Sequence, residues 1–251
     1  MNVIVNELVT QYSLTGQGKL VVLLHGWGDS ARGLVNLNAQ LSQNYRVVSL
    51  DLPGFGGTQS PSGVWDLDDY ANFVRDFMTK LGLDQVFALI GHSNGGAIAI
   101  RGCGLGVFNP TKLILLAASG VRPSRSLRRL LLSSVAKVGR VVTIGLPGRY
   151  RQALRARLYG AVGSDLLVVE PLQATFKKIV RQDVQADAAG LTLPTLLIYA
   201  ENDQAVPLEA GRRYHELIKN SRFEIVKAAG HFVQSDQPEQ VQQLIEKFLA
   251  T

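Results

Sequence analysis

The residues best suited to chemistry begin with Gly91-His92-Ser93-Asn94-Gly95, which follows the apolar run Val86-Phe87-Ala88-Leu89-Ile90 and precedes a helix-like stretch from Gly96. A Gly-x-Ser-x-Gly pentapeptide alone occurs by chance. A buried strand entering a helix through flanking glycines, however, is the sharp turn that exposes a strained, nucleophilic serine. A Gly-rich turn with a capping serine is the plainer alternative. Because a serine hydroxyl is a poor nucleophile at neutral pH, a base must take its proton as it attacks. Of the 4 histidines, His231 lies in Ala229-Gly230-His231-Phe232, just past the apolar run at 223–226, and is the candidate base. His25 precedes a glycine in another loop, His92 adjoins the serine with its side chain directed elsewhere, and His215 falls inside a helix-like stretch. The base needs an acidic partner to fix its tautomer and stabilise the imidazolium. Asp203, shortly after Leu196-Leu197-Ile198-Tyr199-Ala200, fills that role, with Glu201 as competitor and a simple turn at Asn202-Asp203 as the non-chemical reading. The developing oxyanion requires preorganised donors. These are expected from the backbone N–H of Asn94 and from that of Trp27 in His25-Gly26-Trp27-Gly28, while the Trp27 ring packs in the core.

Such residues must be positioned by regular elements. Short Val-, Ile- and Leu-rich runs at 20–24, 47–50, 86–90, 113–116, 195–199 and 223–226 suit strands buried on both faces of a largely parallel sheet. Helical spacing between them, at 34–41, 67–81, 97–105, 208–218 and 241–249, supplies the crossovers that parallel strands need. The fold class is therefore α/β, a mostly parallel sheet flanked by helices. Residues 3–9 followed by 11–14 read as strands before the parallel part, in the manner of a hairpin. The alternation stops between Gly120 and Leu193, too long a gap for a structureless loop, so 121–190 is expected to be a helical cap inserted into a core of 1–120 and 191–251. Its expected helices are 128–138, 150–159 and 166–180, with breaks at Pro123, Pro147 and Pro171.

Charge is concentrated in that insertion. The chain carries a formal net charge of +6, yet 121–190 holds 13 Lys and Arg against 4 Asp and Glu, so the remainder is slightly acidic. A basic segment rather than a basic surface argues against a general nucleic-acid binder. Arg122, Arg125, Arg128 and Arg129 form one cluster, and Arg149, Arg151, Arg155 and Arg157 a second. They read as a solvated helical face, as a steering surface for an anionic substrate or acidic partner, or, with Leu130, Leu131, Leu132 and Val135, as an amphipathic helix on a membrane surface. Cys103 is the only cysteine, which excludes an intrachain disulfide framework. Residues 1–10 lack the charged start and unbroken apolar stretch of a signal peptide, and no segment is apolar enough to span a bilayer, so a cytoplasmic location is expected. Neither the histidines nor Cys103 have metal-ligand spacing, and Gly54-Phe55-Gly56-Gly57 lacks the companions of a phosphate loop, so no metal and no cofactor are expected.

Taken together, His25-Gly26-Trp27-Gly28, Asp51-Leu52-Pro53-Gly54-Phe55-Gly56-Gly57, Gly91-His92-Ser93-Asn94-Gly95-Gly96, Asp203 with Val206-Pro207, and Gly230-His231 resemble the α/β-hydrolase superfamily. The resemblance covers nearly the whole chain outside the insertion. It implies the α/β-hydrolase fold, Ser93, Asp203 and His231 as catalytic residues, Trp27 and Asn94 as the oxyanion hole, and Asp51 as a stabiliser of its own loop. The implied activity is hydrolysis of a small-molecule carboxylic ester through an acyl-enzyme. C–C bond hydrolysis of a vinylogous diketone is the alternative within the same scaffold, and a slow-turnover ligand-binding or signalling protein the alternative outside enzymology. Because relatives that act as haloalkane dehalogenases or epoxide hydrolases carry an aspartate where Ser93 stands, those activities are not expected. The His-Gly-Trp-Gly loop and Arg-rich cap are also similar to pimeloyl-acyl-carrier-protein methyl esterases, a resemblance that implies an acidic carrier protein as bearer of the substrate. Acyl preference and oligomeric state are not encoded in these motifs.

Overall fold

Each Val-, Ile- and Leu-rich run forms a strand, and all but the last, an edge strand, lie in a pleat covered on both faces, where branched side chains fit. In the computed structural model, which describes residues 1–83, 85–122 and 172–251, the strands are β1 (Asn2–Val5), β2 (Leu8–Thr15), β3 (Leu20–Leu24), β4 (Arg46–Leu50), β5 (Val86–His92), β6 (Lys112–Leu116), β7 (Thr195–Ala200) and β8 (Ser221–Val226). They hydrogen-bond in the order β1-β2-β4-β3-β5-β6-β7-β8. The β1–β2 and β2–β4 pairs are antiparallel, and all later neighbours are parallel.

The amino-terminal segment departs from the expected pattern, since 3–9 is not one strand. Asn6 and Glu7 take φ values of 46° and 65° and reverse the chain between Val5 and Leu8. Two successive left-handed residues are what the tightest hairpin turn demands. No glycine announces that turn in the sequence.

Helices α1 (Val35–Leu41), α2 (Leu67–Lys80), α3 (Asn94–Gly104), α4 (Gln173–Ile179), α5 (Gln185–Ala189), α6 (Leu208–Leu217), α7 (Val233–Asp236) and α8 (Pro238–Leu249) complete the described fold. Side chains alternate across each strand and sort the core into two layers. Val21 and Leu23 of β3 join the cluster containing Leu37 and Leu41 of α1 and Val241, Ile245 and Phe248 of α8. Val22 and Leu24 join the opposite cluster with Tyr70, Phe73 and Phe77 of α2, Ile98 and Ile100 of α3, and Tyr214 of α6. The ends of α2 show how local sequence sets an element. Asp66 caps the start by accepting from the N–H groups of Asp68 and Asp69, and the Asp69 carboxylate reciprocates on the Asp66 N–H. At the other end Gly82, at φ +64°, lets the N–H of Leu83 reach back to the carbonyl of Met78 at 2.9 Å and stops the helix.

Of the expected cap helices, 128–138 and 150–159 lie outside the described residues, as do Pro123, Pro147, Pro171 and the first part of 166–180. The described remainder of that third stretch holds α4, which is strapped to the start of α2. The N–H of Trp65 donates to Thr175 Oγ1 at 3.1 Å, that of Leu67 donates to Gln182 Oε1 at 2.8 Å, and Lys178 Nζ lies 2.9 Å from Asp66 Oδ2. Among the described residues, no helix is long and apolar enough to cross a membrane. The parallel arrangement brings the carboxyl ends of β3, β5, β6, β7 and β8 to one edge of the sheet, where open α/β folds place their binding crevices.

Candidate active site

Ser93 sits directly between β5 and α3 with φ 51° and ψ −115°. That conformation is the first position of a type II′ turn, which side-chain-bearing residues rarely adopt. Its surroundings hold it there. The Ser93 N–H donates to the carbonyl of Leu116 on β6 at 2.9 Å, and its own carbonyl accepts from the N–H groups of Gly96, Ala97 and Ser119. Close packing explains the adjacent glycine: a Cβ on Gly95 would collide with the backbone carbonyls of Leu24 and His25.

His231 stands in the loop after β8, with its Nε2 3.0 Å from Ser93 Oγ and its Nδ1 2.8 Å from Asp203 Oδ2. With Nδ1–H donating to the carboxylate, Nε2 is left as the acceptor for the serine hydroxyl. Asp203, in the loop after β7, has a fully buried side chain, and its Oδ1 accepts from the N–H groups of Ala205 and Val206 at 2.8 Å each. These three contacts hold the carboxylate in one orientation toward His231. Glu201, the competing carboxylate, is exposed. The fold therefore gathers Ser93, Asp203 and His231 from three separate strand ends.

Trp27 and Asn94 lie beside Ser93 and His231. The N–H of Asn94 belongs to the first residue of α3 and so has no intrahelical partner. The N–H of Trp27 likewise finds no acceptor among the described residues. The Trp27 ring packs edge-on against Phe55, with centroids 4.9 Å apart, and lies 5.1 Å from Phe176 of α4. Trp27, Asn94, Ser93 and His231 border a cavity of about 280 Å³ whose apolar wall includes Leu67, Phe176, Ile179 and Val206. A hollow of about 750 Å³ at the opposite end of the strands, bordered by Lys19, Arg46 and Phe87, is larger but shallow and contains none of these groups. The smaller, more enclosed cavity is the one with chemistry beside it.

Two further histidines brace the site in ways that sequence reasoning missed. His25 is fully buried; its Nδ1–H donates to the Gly26 carbonyl at 2.7 Å, and its Nε2 accepts from the N–H of Leu52 at 2.8 Å. Burial lowers its pKa, against the opposing pull of the Gly26 carbonyl, Asp29 and Asp51. The ring stays neutral and ties the Trp27 loop to the loop after β4. Asp51 reinforces that junction, accepting from the N–H groups of Ala31 and Gly57, so it serves a neighbouring loop as well as its own. His92 is wedged between the loops of Trp27 and His231. Its Nε2–H donates to the His231 carbonyl at 2.9 Å, its ring lies 5.3 Å from that of Phe232, and a Cβ on Gly26 would come within 3.0 Å of its Nδ1. Burial first, then the proximity of His231, push its pKa down to about 3. Only a contact spanning 139 residues reveals this bond, so no local pattern could have announced it. His215 remains apart, bonded to Ser221 on the surface.

This geometry can transfer a proton from a hydroxyl to an imidazole. Comparison with known proteins agrees with the architecture. The model of the alpha/beta hydrolase family matches residues 21–244. A 2-hydroxy-6-oxo-2,4-heptadienoate hydrolase from Pseudomonas putida is 27% identical over 267 residues, covering 99% of this chain and 95% of that protein. Among solved structures, a meta-cleavage product hydrolase from Pseudomonas fluorescens superposes with a TM-score of 0.75 at 22% identity, over 100% of this chain and 97% of that one. A thermophilic esterase from Thermogutta terrifontis gives 0.74 at 21% identity, with the same coverage.

Proposed function

The chain belongs to the alpha/beta hydrolase family, and from that premise we propose that it is a serine hydrolase cleaving carboxylic esters, or related acyl substrates, through an acyl-enzyme on Ser93. The observation that carries this reading is the continuous relay in which Ser93 Oγ lies 3.0 Å from His231 Nε2 and His231 Nδ1 lies 2.8 Å from Asp203 Oδ2, at the mouth of an enclosed cavity. His231 removes the serine proton as Oγ attacks the carbonyl, and Asp203 stabilises the resulting imidazolium without itself being protonated. The oxyanion is received by the N–H groups of Trp27 and Asn94. His231 then protonates the departing alkoxide, and water activated by the same base resolves the ester to Ser93.

The reading extends to residues 121–190 as a cap over a core of 1–120 and 191–251. Phe176, Ile179 and Val180, from the described part of that segment, border the cavity and support it. The substrate is a small molecule, anionic or borne by an acidic protein if the arginines of the segment recruit it. A fluorophosphonate probe should label Ser93 in the native protein and fail on Ser93→Ala, and an ester panel of graded acyl length should be hydrolysed. A protein that is folded but neither labelled nor active on any ester refutes the proposal.

Hydrolysis of a C–C bond in a vinylogous diketone is favoured by one observation, the P. putida relative named as a dienoate hydrolase. In that reaction a ketone takes the place of the ester carbonyl, and an enol carbon leaves instead of an alkoxide. Product analysis with a vinylogous 1,5-diketone beside a p-nitrophenyl ester separates the two readings.

A further inference from the structure

An aromatic contact joins α4 to the loop after β3. The rings of Phe176 and Trp27 are inclined at 49° with centroids 5.1 Å apart, and both residues border the cavity beside Ser93 and His231. Trp27 stands between Gly26 and Gly28, the latter at φ +74°, and neighbours without a Cβ do little to restrict the peptide units on either side. The bond from His25 to the Gly26 carbonyl fixes one end of the peptide that carries the Trp27 N–H. The other end is the Cα of Trp27, and there the indole supplies the restraint. Phe55, in the loop after β4, meets that ring edge-on from the core, and Phe176 meets it from α4. α4 is itself fastened. Leu172, just before it, packs so closely on Gly54 that a Cβ there would collide, and Thr175, Lys178 and Gln182 engage Trp65, Asp66 and Leu67.

Resting on the serine-hydrolase reading and its oxyanion site, we propose that Phe176 is a positioning residue for the Trp27 N–H. With Phe176 in place, the indole is held by rings from two separate parts of the chain, and the N–H keeps its aim as charge develops on the substrate. Without Phe176, the indole settles toward the vacated space and draws the N–H off line. Oxyanion donors act through alignment fixed before the reaction, so a small displacement costs rate. The segment from Leu172 to Gln182 therefore completes the catalytic apparatus without contributing a reacting group.

The test uses p-nitrophenyl acetate, whose acyl group is too short to depend on the apolar wall. Acylation and deacylation both pass through an oxyanion, so the loss falls on kcat. Phe176→Ala should lower kcat by roughly tenfold, a fraction of the 10²–10³-fold lost with a whole oxyanion donor, while KM stays within about twofold. Inhibition by ethyl trifluoromethyl ketone, whose carbonyl becomes an oxyanion when Ser93 adds to it, should weaken by about the same factor. Phe176→Tyr, which keeps the ring, should recover most of both, and Phe176→Leu replaces the alanine variant should that not fold. Unchanged kcat on the acetate in a folded variant, a loss confined to longer acyl esters or to KM, an unchanged inhibitor affinity, or no rescue by tyrosine overturns the assignment. Fluorophosphonate labelling of Ser93 keeps the two levels apart. Labelled, active wild-type protein whose Phe176 variants behave alike refutes the role of Phe176 alone, and an unlabelled, inactive wild-type protein refutes the serine-hydrolase reading beneath it.

Discussion

At the scale of single residues, roles divide between groups that would touch the reacting atoms and groups that hold them. Asp203→Asn preserves shape but favours the wrong imidazole tautomer, and should lower kcat by on the order of 10³–10⁴-fold, whereas Glu201→Gln at the exposed neighbouring carboxylate should stay within about twofold. A pre-steady-state ester assay measures both, and equal effects would return Glu201 to contention. His92 acts through another residue. Because burial holds its pKa near 3, its ring is neutral and keeps the Nε2–H bond to the His231 carbonyl throughout the working pH range. His92→Phe should therefore reduce kcat by roughly tenfold, the effect of one lost hydrogen bond, with little change in KM. His92→Gln, whose amide can reach the same carbonyl, should recover much of the loss. Failure of Gln to rescue, with both variants folded, would show that the ring matters only as filler.

At the scale of elements, the sequence was most transparent where burial is complete. The run at 20–24 became β3 without a shift, and the other apolar runs gained only a residue or two at their ends; for all but the half-exposed edge strand β8, two-sided burial leaves little choice of composition. Chain reversal at Asn6 and Glu7 was hidden, since its positive φ values come without glycine. Helix α3 begins at Asn94 rather than near 97, because the Ser93 turn launches the helix at once while Gly95 and Gly96 mask its periodicity. Ser93, His231 and Asp203 could be nominated from strand order. The bracing by His25 and His92 could not, since it depends on which loops become neighbours. The clasp between α4 and α2 offers a pH test at this scale. Burial would raise the Asp66 pKa, but the Lys178 ammonium and the Asp69 N–H outweigh it, so the folded value is lower than the unfolded one. The contact accordingly stabilises at neutral pH and is lost as pH falls through that depressed value. Hydrogen exchange of the α4 amides should accelerate there before global unfolding, and Asp66→Ala, which also removes the cap of α2, should cost about 1 kcal/mol in a denaturant titration. Acid-insensitive exchange in α4 would count against the clasp.

At the scale of the whole molecule, charge and strain are each localised. The basic surplus resides in 121–190, the segment whose described end borders the cavity. If it gathers anionic substrates, kcat/KM for a carboxylate-bearing ester should fall as salt rises while that for a neutral ester is spared. Identical salt responses would remove the idea. The turn at Ser93 bears on the molecule in a different way. With φ 51° and ψ −115°, the backbone there is held in a shape worth on the order of 1–3 kcal/mol of resistance, and alanine inherits that burden while glycine escapes it. Ser93→Gly should therefore melt at a higher temperature than Ser93→Ala, although both are inert. Reactivity and durability pull against each other at this one peptide unit, and a campaign that selects variants by heat resistance alone will tend to discard the nucleophile first.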